Sequence, residues 1–238
     1  MSRFSLVLFF ILLSACSKPV KPVQVSEKEF LSAIQENKVL VKTEEGDKVT
    51  IQAALEAGVD PNLRSARGAS ALEIAASNGN LIVVQFLLEA GADPTQDESL
   101  IDAAFFGRLD IVKLLLEAGA DPNQEDSDYE GNTAILTAVE YSYLEIAELL
   151  KEKGAVLDAR HEAGGAALRS ASCSGRFESV KLLLEAGADP NARDGQETPL
   201  YLARSVVCRD PVAGRIPGKR WYRYHDEIAE LLKASGAK

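Results

Sequence analysis

The sequence predicts an all-α repeat solenoid, and three observations support this prediction. A five-residue phrase containing Gly, Ala, Asp and Pro recurs along the chain, and an apolar helical stretch precedes each copy. A second, shorter helical stretch rich in small residues precedes each apolar one. Only 6% of the 238 residues are aromatic, so the core must be built from Ala, Leu and Val in close-packed short helices.

The first sixteen residues have the order of an export signal. Arg3 supplies a positive charge, and the apolar stretch 4–13 is too short to span a membrane. The following Leu13-Ser14-Ala15-Cys16 resembles the lipobox of bacterial lipoproteins. This resemblance implies that residues 1–15 are removed and that Cys16 is lipidated. The alternative is an ordinary secretory signal with an incidental cysteine.

The residues after the lipobox predict a location and a tether. Residue 17 is Ser; in lipoproteins an Asp there favours retention at the inner membrane, so its absence favours the outer membrane, facing the periplasm. Residues 16–27 contain two prolines and few large apolar side chains, which predicts a lipidated Cys followed by a flexible tether. The folded domain is expected over residues 28–238.

The recurring phrase marks the end of each unit. Its copies begin at glycines separated by 33, 28, 35, 33 and 49 residues: Gly58, Gly91, Gly119, Gly154, Gly187 and Gly236. Glycine can adopt the left-handed conformation that ends a helix, and the proline that follows in most copies prevents the helix from resuming. Each unit is therefore predicted to be a pair of helices closed by this turn.

These units resemble the ankyrin repeat. The phrase Thr198-Pro199-Leu200-Tyr201 and the Gly-Ala-Asp copies carry the resemblance, although the histidine of the family's Thr-Pro-Leu-His motif is absent throughout. The resemblance implies about six helix-turn-helix units with β-hairpin or loop fingers, the first and last acting as caps, and a non-catalytic protein-binding role. The expected units are 28–62, 63–95, 96–123, 124–158, 159–191 and 192–238.

Deviations from the repeat indicate where a partner could bind. The third unit is short at residues 96–99, which predicts a notch in the concave edge. The fourth unit has a longer acidic finger that contains Tyr129, although such a finger can also be a plain solvated loop. In the same unit Tyr141-Ser142-Tyr143 replaces the turn glycine. Tyrosine is enriched at binding surfaces, and the alternative is that one ring packs on the adjacent turn.

The last unit contains the largest deviation, an insertion of about sixteen residues between helices expected at 200–205 and 227–233. Long loops in compact domains are often functional, and Trp, Tyr and Arg are common binding hot spots. The insertion therefore adds six candidate partner-binding residues: Arg215, Arg220, Trp221, Tyr222, Arg223 and Tyr224. The alternatives are that Trp221 and Tyr224 cover the open end of the last repeat, or that the basic residues attract acidic lipid headgroups.

Two cysteines remain besides Cys16. An exported compartment permits disulfides, and Cys173 and Cys208 are expected near the same end of neighbouring short helices. We predict that they pair; the alternative is two small buried thiols.

Composition and motifs argue against nucleic-acid binding and catalysis. The net charge of −10 is the wrong sign for a nucleic-acid partner. The two histidines, His161 and His225, are expected in different loops without metal-ligand spacing, and no Gly-rich phosphate loop is present. We therefore expect no cofactor, no metal and no enzymatic activity, and a monomer when unbound.

The expected partner is a protein. Two roles fit a surface-anchored recognition module: an immunity protein that neutralises an antibacterial toxin, or a scaffold or protector of a resident periplasmic enzyme. Anchoring and an irregular binding edge favour immunity. A third possibility is an envelope structural protein that contacts lipid or cell wall through its basic C-terminal segment.

Overall fold

The computed structural model describes residues 24–42, 48–95, 97–127, 130–205 and 219–238. Within these ranges the chain forms twelve helices and one two-stranded sheet. The elements are α1 (Glu27–Gln35), β1 (Leu40–Lys42), β2 (Lys48–Thr50), α2 (Ile51–Glu56), α3 (Ala71–Asn78), α4 (Leu81–Glu89), α5 (Ser99–Phe105), α6 (Leu109–Glu117), α7 (Ala134–Glu140), α8 (Leu144–Glu152), α9 (Glu162–Cys173), α10 (Phe177–Glu185), α11 (Pro199–Arg204) and α12 (Lys219–Ala234).

The helices stack as six pairs, which confirms the predicted all-α solenoid. The first helices of units two to six, α3, α5, α7, α9 and α11, pack each on the next. The second helices form a parallel row in which α2, α4, α6 and α8 are successive neighbours and α10 contacts α12. We call the surface formed by the exposed sides of the first helices the first-helix face.

The core runs along the stack because each second helix buries the same position. The leucine four residues before the turn glycine is fully buried in five units: Leu87, Leu115, Leu150, Leu183 and Leu232. Each such burial stabilises the fold by about 1.5–3 kcal/mol relative to an exposed side chain. Alanines such as Ala75, Ala103 and Ala138 on the first helices are also buried, so that neighbouring helices approach closely.

The turn glycines end the second helices as the sequence predicts. Gly91 has a φ of +96°, and the amide of Ala92 donates to the carbonyl oxygen of Leu87 at 2.9 Å. The same six-to-one hydrogen bond recurs in the next four units, from Ala120, Ala155, Ala188 and Ala237. This is the Schellman arrangement that a left-handed residue permits.

Asparagines four residues after the turn glycine join neighbouring units. Asn123 donates from Nδ2 to the carbonyl oxygen of Gly154 at 3.1 Å and accepts from the amide of Val156 at 2.8 Å. Asn62 and Asn191 make the equivalent pair of bonds to the loops at Gly91 and Gly236. The asparagine side chain thus makes the hydrogen bonds that join consecutive turns, in place of direct hydrogen bonds between their backbones.

The first unit contains an antiparallel hairpin that the sequence analysis did not predict. Strands β1 and β2 lie between α1 and α2, and Val41 is opposite Val49. β-branched residues on both strands favour an extended conformation. The unit is therefore a helix pair with a hairpin in place of the short turn.

In the last unit, the end of the predicted insertion is helical and not a loop. Helix α12 begins at Lys219, so Arg220, Trp221, Tyr222, Arg223 and Tyr224 lie on a helix, and their assignment to a loop was wrong. His225 also lies on this helix, so its assignment to a loop was wrong as well. No glycine or proline occurs between residues 219 and 235, so nothing in the sequence stops the helix from extending toward Gly218.

Within the described ranges, no helix has the length and apolar character needed to cross a membrane.

Candidate protein-binding surface

Four aromatic side chains lie together at the edge of the first-helix face, around the turns that follow α5 and α7 in units three and four. Phe105 packs edge-to-face against Phe106 at 4.9 Å and against Tyr141 at 4.8 Å between ring centroids. Tyr141 stacks with Tyr143 at 6.5 Å. Phe105, Phe106 and Tyr143 are 41%, 43% and 37% exposed, so the rings contact one another and still face solvent. We call these four residues the aromatic cluster.

The repeat itself positions Tyr143, because it occupies the position eleven residues before the turn glycine. At that position Arg108 lies over Gly79, Tyr143 over Gly107, and His225 over Gly175. Arg176 also occupies this position, and its Nη1 donates to the carbonyl oxygen of Glu140 at 2.9 Å. Its guanidinium carbon is 5.2 Å from the centroid of the Tyr141 ring, a cation–π arrangement.

After the insertion, His225 again occupies the position eleven residues before the turn glycine, here Gly236. Its side chain is fully buried, and Nε2 lies 3.1 Å from the carbonyl oxygen of Cys173. Arg176 contacts the equivalent carbonyl one unit earlier. The other histidine, His161, precedes α9 and packs against Gly131 of the acidic finger. Each histidine therefore has a packing role at a turn, in a different unit.

Acidic side chains gather where the fingers meet α5, at the opposite end of this helix from the phenylalanines. We call the following five residues the carboxylate group: Glu73, Asp97, Glu98, Asp102 and Asp126. Burial raises the pKa of the Asp102 carboxyl from its ordinary value of 3.8 to about 7, and repulsion from the other four members adds to this effect. Arg64 brings a positive charge to this group, since its Nη1 lies 3.8 Å from Glu73.

Asp97 explains how the short third unit closes. Its carboxylate is nearly buried and accepts from the Ser70 hydroxyl at 2.5 Å and from the Ser99 amide at 3.0 Å. Its carbonyl oxygen accepts from Gln124 Nε2 at 2.9 Å. Units two, four and six have a bridge pair at the finger base, and the described residues of unit three have none. One buried aspartate therefore connects units two, three and four where a longer finger is missing.

The structure brings together two of the predicted site residues, Tyr141 and Tyr143. Their rings pack on each other, and Tyr143 is also exposed, as the sequence predicts for this turn. Tyr224 is 40% exposed on α12, in the last unit and outside the aromatic cluster. Arg220, Trp221, Tyr222 and Arg223 are described only as backbone positions of that helix. Cys16, Tyr129, Arg215 and Cys208 lie outside the described residues.

Cys173 is disulfide-bonded at the C-terminal end of α9. The chain has two other cysteines, Cys16 and Cys208, and both lie outside the described residues. The pairing of Cys173 with Cys208 stays a prediction.

Phe105, Phe106 and the carboxylate group were not predicted from the sequence. A signal for the phenylalanines existed, because the positions just before the turn glycine hold Ser77-Asn78 in unit two and Cys173-Ser174 in unit five. Two exposed phenylalanines at such positions depart from the repeat. The described residues include no group of three or more His, Cys, Asp or Glu side chains arranged to hold a metal ion.

Comparisons with known proteins identify the family. The profile of the family described as ankyrin repeats in three copies matches residues 39–126 and 100–194, more than half of the chain. The chain therefore belongs to the ankyrin-repeat family, whose members form protein-binding modules and are in general not enzymes. The crystal structure of the human ASB11 ankyrin repeat domain superposes with a TM-score of 0.57 at 24% identity, covering 88% of this chain and 84% of that chain. This similarity shows the shared fold.

One curated relative is similar over a shorter stretch. The chain is 35% identical over 86 residues to the B-cell lymphoma 3 protein homolog of Mus musculus. The match spans 36% of this chain and 19% of the mouse protein. The similarity is thus confined to a short stretch of a much longer protein.

Proposed function

We propose that this protein is a lipid-anchored ankyrin module of the bacterial cell envelope that binds another protein and catalyses no reaction, with an incoming antibacterial toxin as the favoured partner. The observation that carries the binding proposal is the aromatic cluster. Its rings depart from the repeat in two consecutive units, and those of Phe105, Phe106 and Tyr143 remain exposed. Exposed apolar patches of this kind mark interaction surfaces.

The sequence supports the anchoring part of the proposal. The lipobox-like Leu13-Ser14-Ala15-Cys16 ends an apolar stretch, and the first described helix begins at Glu27. A multiply acylated Cys16 would hold the repeats at the membrane surface, since two or more lipid chains give stable anchoring. Ser17 favours the outer membrane and a periplasm-facing domain.

Two experiments test the anchor and the binding separately. For the anchor, cells producing the full chain are compared with cells producing Cys16→Ser; wild type should sediment with membranes and label with palmitate, and the variant should do neither. Equal labelling of both chains would overturn the lipid anchor.

For binding, the full chain is crosslinked in intact cells beside a Phe105→Ser/Phe106→Ser variant. One stoichiometric protein that is captured by wild type and lost with the variant supports the proposal, and its identity separates a toxin from a resident enzyme. Survival of cells challenged with that toxin should then depend on the same phenylalanines. Capture that survives this variant and disappears with Trp221→Ala/Tyr224→Ala would relocate the site to α12. Capture of lipid or cell wall alone, abolished by salt, would favour a structural role through Arg215, Arg220 and Arg223.

A further inference from the structure

The exposed rings of the aromatic cluster form a rigid apolar surface. Phe105 is held by edge-to-face contacts with Phe106 on one side and Tyr141 on the other. Tyr141 is held in turn by the Arg176 guanidinium. A preordered aromatic surface loses little conformational entropy on binding, which is why such residues are frequent hot spots. The cluster therefore offers an anchoring place for one apolar side chain of a partner.

One member of the carboxylate group, Asp102, lies on the same helix as Phe105. Asp102 precedes Phe105 and Phe106 by three and four residues, so it lies about one helical turn, roughly 5 Å, from them along α5. Four further carboxylates interact electrostatically with it, and Arg64 contacts one of them, Glu73. The finger end of α5 is thus strongly negative.

The opposite end of the cluster carries two arginines, and the Glu140 carboxyl there interacts with one of them, Arg176. Arg108 and Arg176 lie at the turn end of α5 and α7, where they pack on Gly79 and on Tyr141. A cationic group of a partner is therefore favoured more at the finger end, where five carboxyl groups interact, than at the turn end. The charge distribution fixes a direction for whatever covers the rings.

We propose that the aromatic cluster binds a protein segment that presents an aromatic or aliphatic side chain, with a lysine or arginine of that segment reaching the carboxylate group about one helical turn away. This inference rests on the proposed protein-binding function and adds the chemistry of the partner. The apolar side chain covers Phe105 and Phe106, and the cation is shared by Asp102 and its acidic neighbours. An acidic partner segment would meet like charge and be excluded.

A consequence is that binding is linked to a proton. Four carboxylates face Asp102: Glu73 from α3, Asp97 and Glu98 from the segment before α5, and Asp126 from the finger of unit four. Of these, Glu73 is paired with Arg64. The neighbouring helices α6 and α7 bury aliphatic residues, and α7 also buries the uncharged Thr137, whose hydroxyl bonds to Asn132. A bound cation favours the ionised carboxylate, so Asp102 should release its proton on binding.

The test selects peptides from a random library and then measures the affinity of the selected peptides. A phage library of random peptides about twelve residues long is panned at pH 8 against the purified full chain in mild detergent, and enriched peptides are synthesised. We expect them to carry Lys or Arg within about four residues of an aromatic or aliphatic residue, as the spacing on α5 requires. Affinity is measured for wild type, Asp102→Asn and Phe105→Ser/Phe106→Ser, with matched controls Asp110→Asn on α6 and Tyr201→Ser on α11.

We expect each test variant to weaken binding about tenfold or more, the size of a hot-spot loss, and each control to leave it within about twofold. For wild type, affinity should fall about tenfold between pH 8 and pH 6, because the pKa of free Asp102 is about 7. For Asp102→Asn this pH dependence should be absent.

Three results would overturn the inference: an enriched set without basic residues, binding insensitive to Asp102 and the phenylalanines, or no enriched peptide at all. Each of them leaves the proposed function to be judged by crosslinking in cells, where a partner lost with the Phe105→Ser/Phe106→Ser variant would still support protein binding. Conversely, basic peptides that bind as expected would support the surface chemistry even if crosslinking in cells captures no protein. That combination would contradict the proposed protein partner.

Discussion

Tyr143 lies across the backbone of Gly107, so that a Cβ built on this glycine would be 2.6 Å from both Cε1 and Cζ of the ring. Gly107 also has a φ of +66°, in the left-handed region that L side chains seldom adopt. The tyrosine is thus seated on the preceding unit and stacks with Tyr141. A glycine that closes one unit therefore positions an aromatic ring of the next.

Gly107→Ala should destabilise the fold by about 2 kcal/mol, because the new methyl adds a steric conflict with Tyr143 to the cost of positive φ. Gly79→Ala is the matched control, since its φ is +74° and its neighbour is the guanidinium of Arg108, which can swing away. Chemical denaturation should show a loss of about 1 kcal/mol for the control, close to the left-handed cost alone.

The double variant Gly107→Ala/Tyr143→Ala separates the two contributions. If the ring is the obstacle, the alanine at 107 should cost less in the absence of Tyr143. Equal costs in both backgrounds would show that the ring moves aside freely and is not held by the glycine.

Asp102→Asn should stabilise the protein at neutral and alkaline pH. Its pKa is raised to about 7 in the folded chain and is about 3.9 when unfolded, so the folded state binds more protons between these values. Stability from this group is therefore highest near pH 4, falls as pH rises toward 7, and is constant above that. The advantage of Asn over Asp should grow over the same window to about 1–3 kcal/mol, allowing for solvent screening.

The measurement is urea denaturation of both chains at several pH values from 4 to 8.5. Asp110→Asn replaces a carboxylate that is mostly exposed on α6 and paired with Lys113, and should change the curve little. An advantage of Asp102→Asn that is the same at every pH would refute the coupling, because it would mean that the carboxyl keeps its ordinary pKa.

The sequence predicted the stack well because the repeat is local. The positions of Gly91 and Leu87, four residues apart, are enough to place a buried helix and its left-handed end. The start of α12 was missed for the opposite reason. The repeat register resumes only at His225, and the helical residues 219–224 lie before it, where comparison with the other units gives no guidance.

The aromatic cluster and the carboxylate group could not be predicted as assemblies, because their members come from different units. Glu73 and Asp126 are separated by 53 residues in the sequence. They come close to Asp102 only because α3, α5 and the finger of unit four stack on one another. The raised pKa of Asp102 depends on burial at that junction, which sequence spacing does not encode. Tyr141 and Tyr143 were predicted from their departure at the turn, and Phe105 was overlooked because phenylalanine in a helix usually indicates core.

Asn123→Ala should destabilise the stack by about 1 kcal/mol. The change removes the bonds to the carbonyl oxygen of Gly154 and from the amide of Val156, and both lie in an exposed loop where water can compensate in part. Thr95→Ala is the control, since Thr95 occupies the same position one unit earlier and its hydroxyl bonds to Asp93 of its own loop. Thermal denaturation should place the control above the test variant, and a reversed order would contradict the inter-unit role.

Reduction of the disulfide at Cys173 should loosen the C-terminal unit specifically. If Cys173 pairs with Cys208, the bond closes a loop of about 35 residues and should contribute about 2–4 kcal/mol. Peptide mapping of the unreduced chain should give one linked Cys173–Cys208 species, and Cys208→Ser should lower the Tm as much as reductant lowers that of wild type. Hydrogen exchange should then rise in α11 and α12 and stay unchanged in α3 and α5, which pack on the helices of units one to four. Full thiol labelling of both residues before reduction would contradict the pairing.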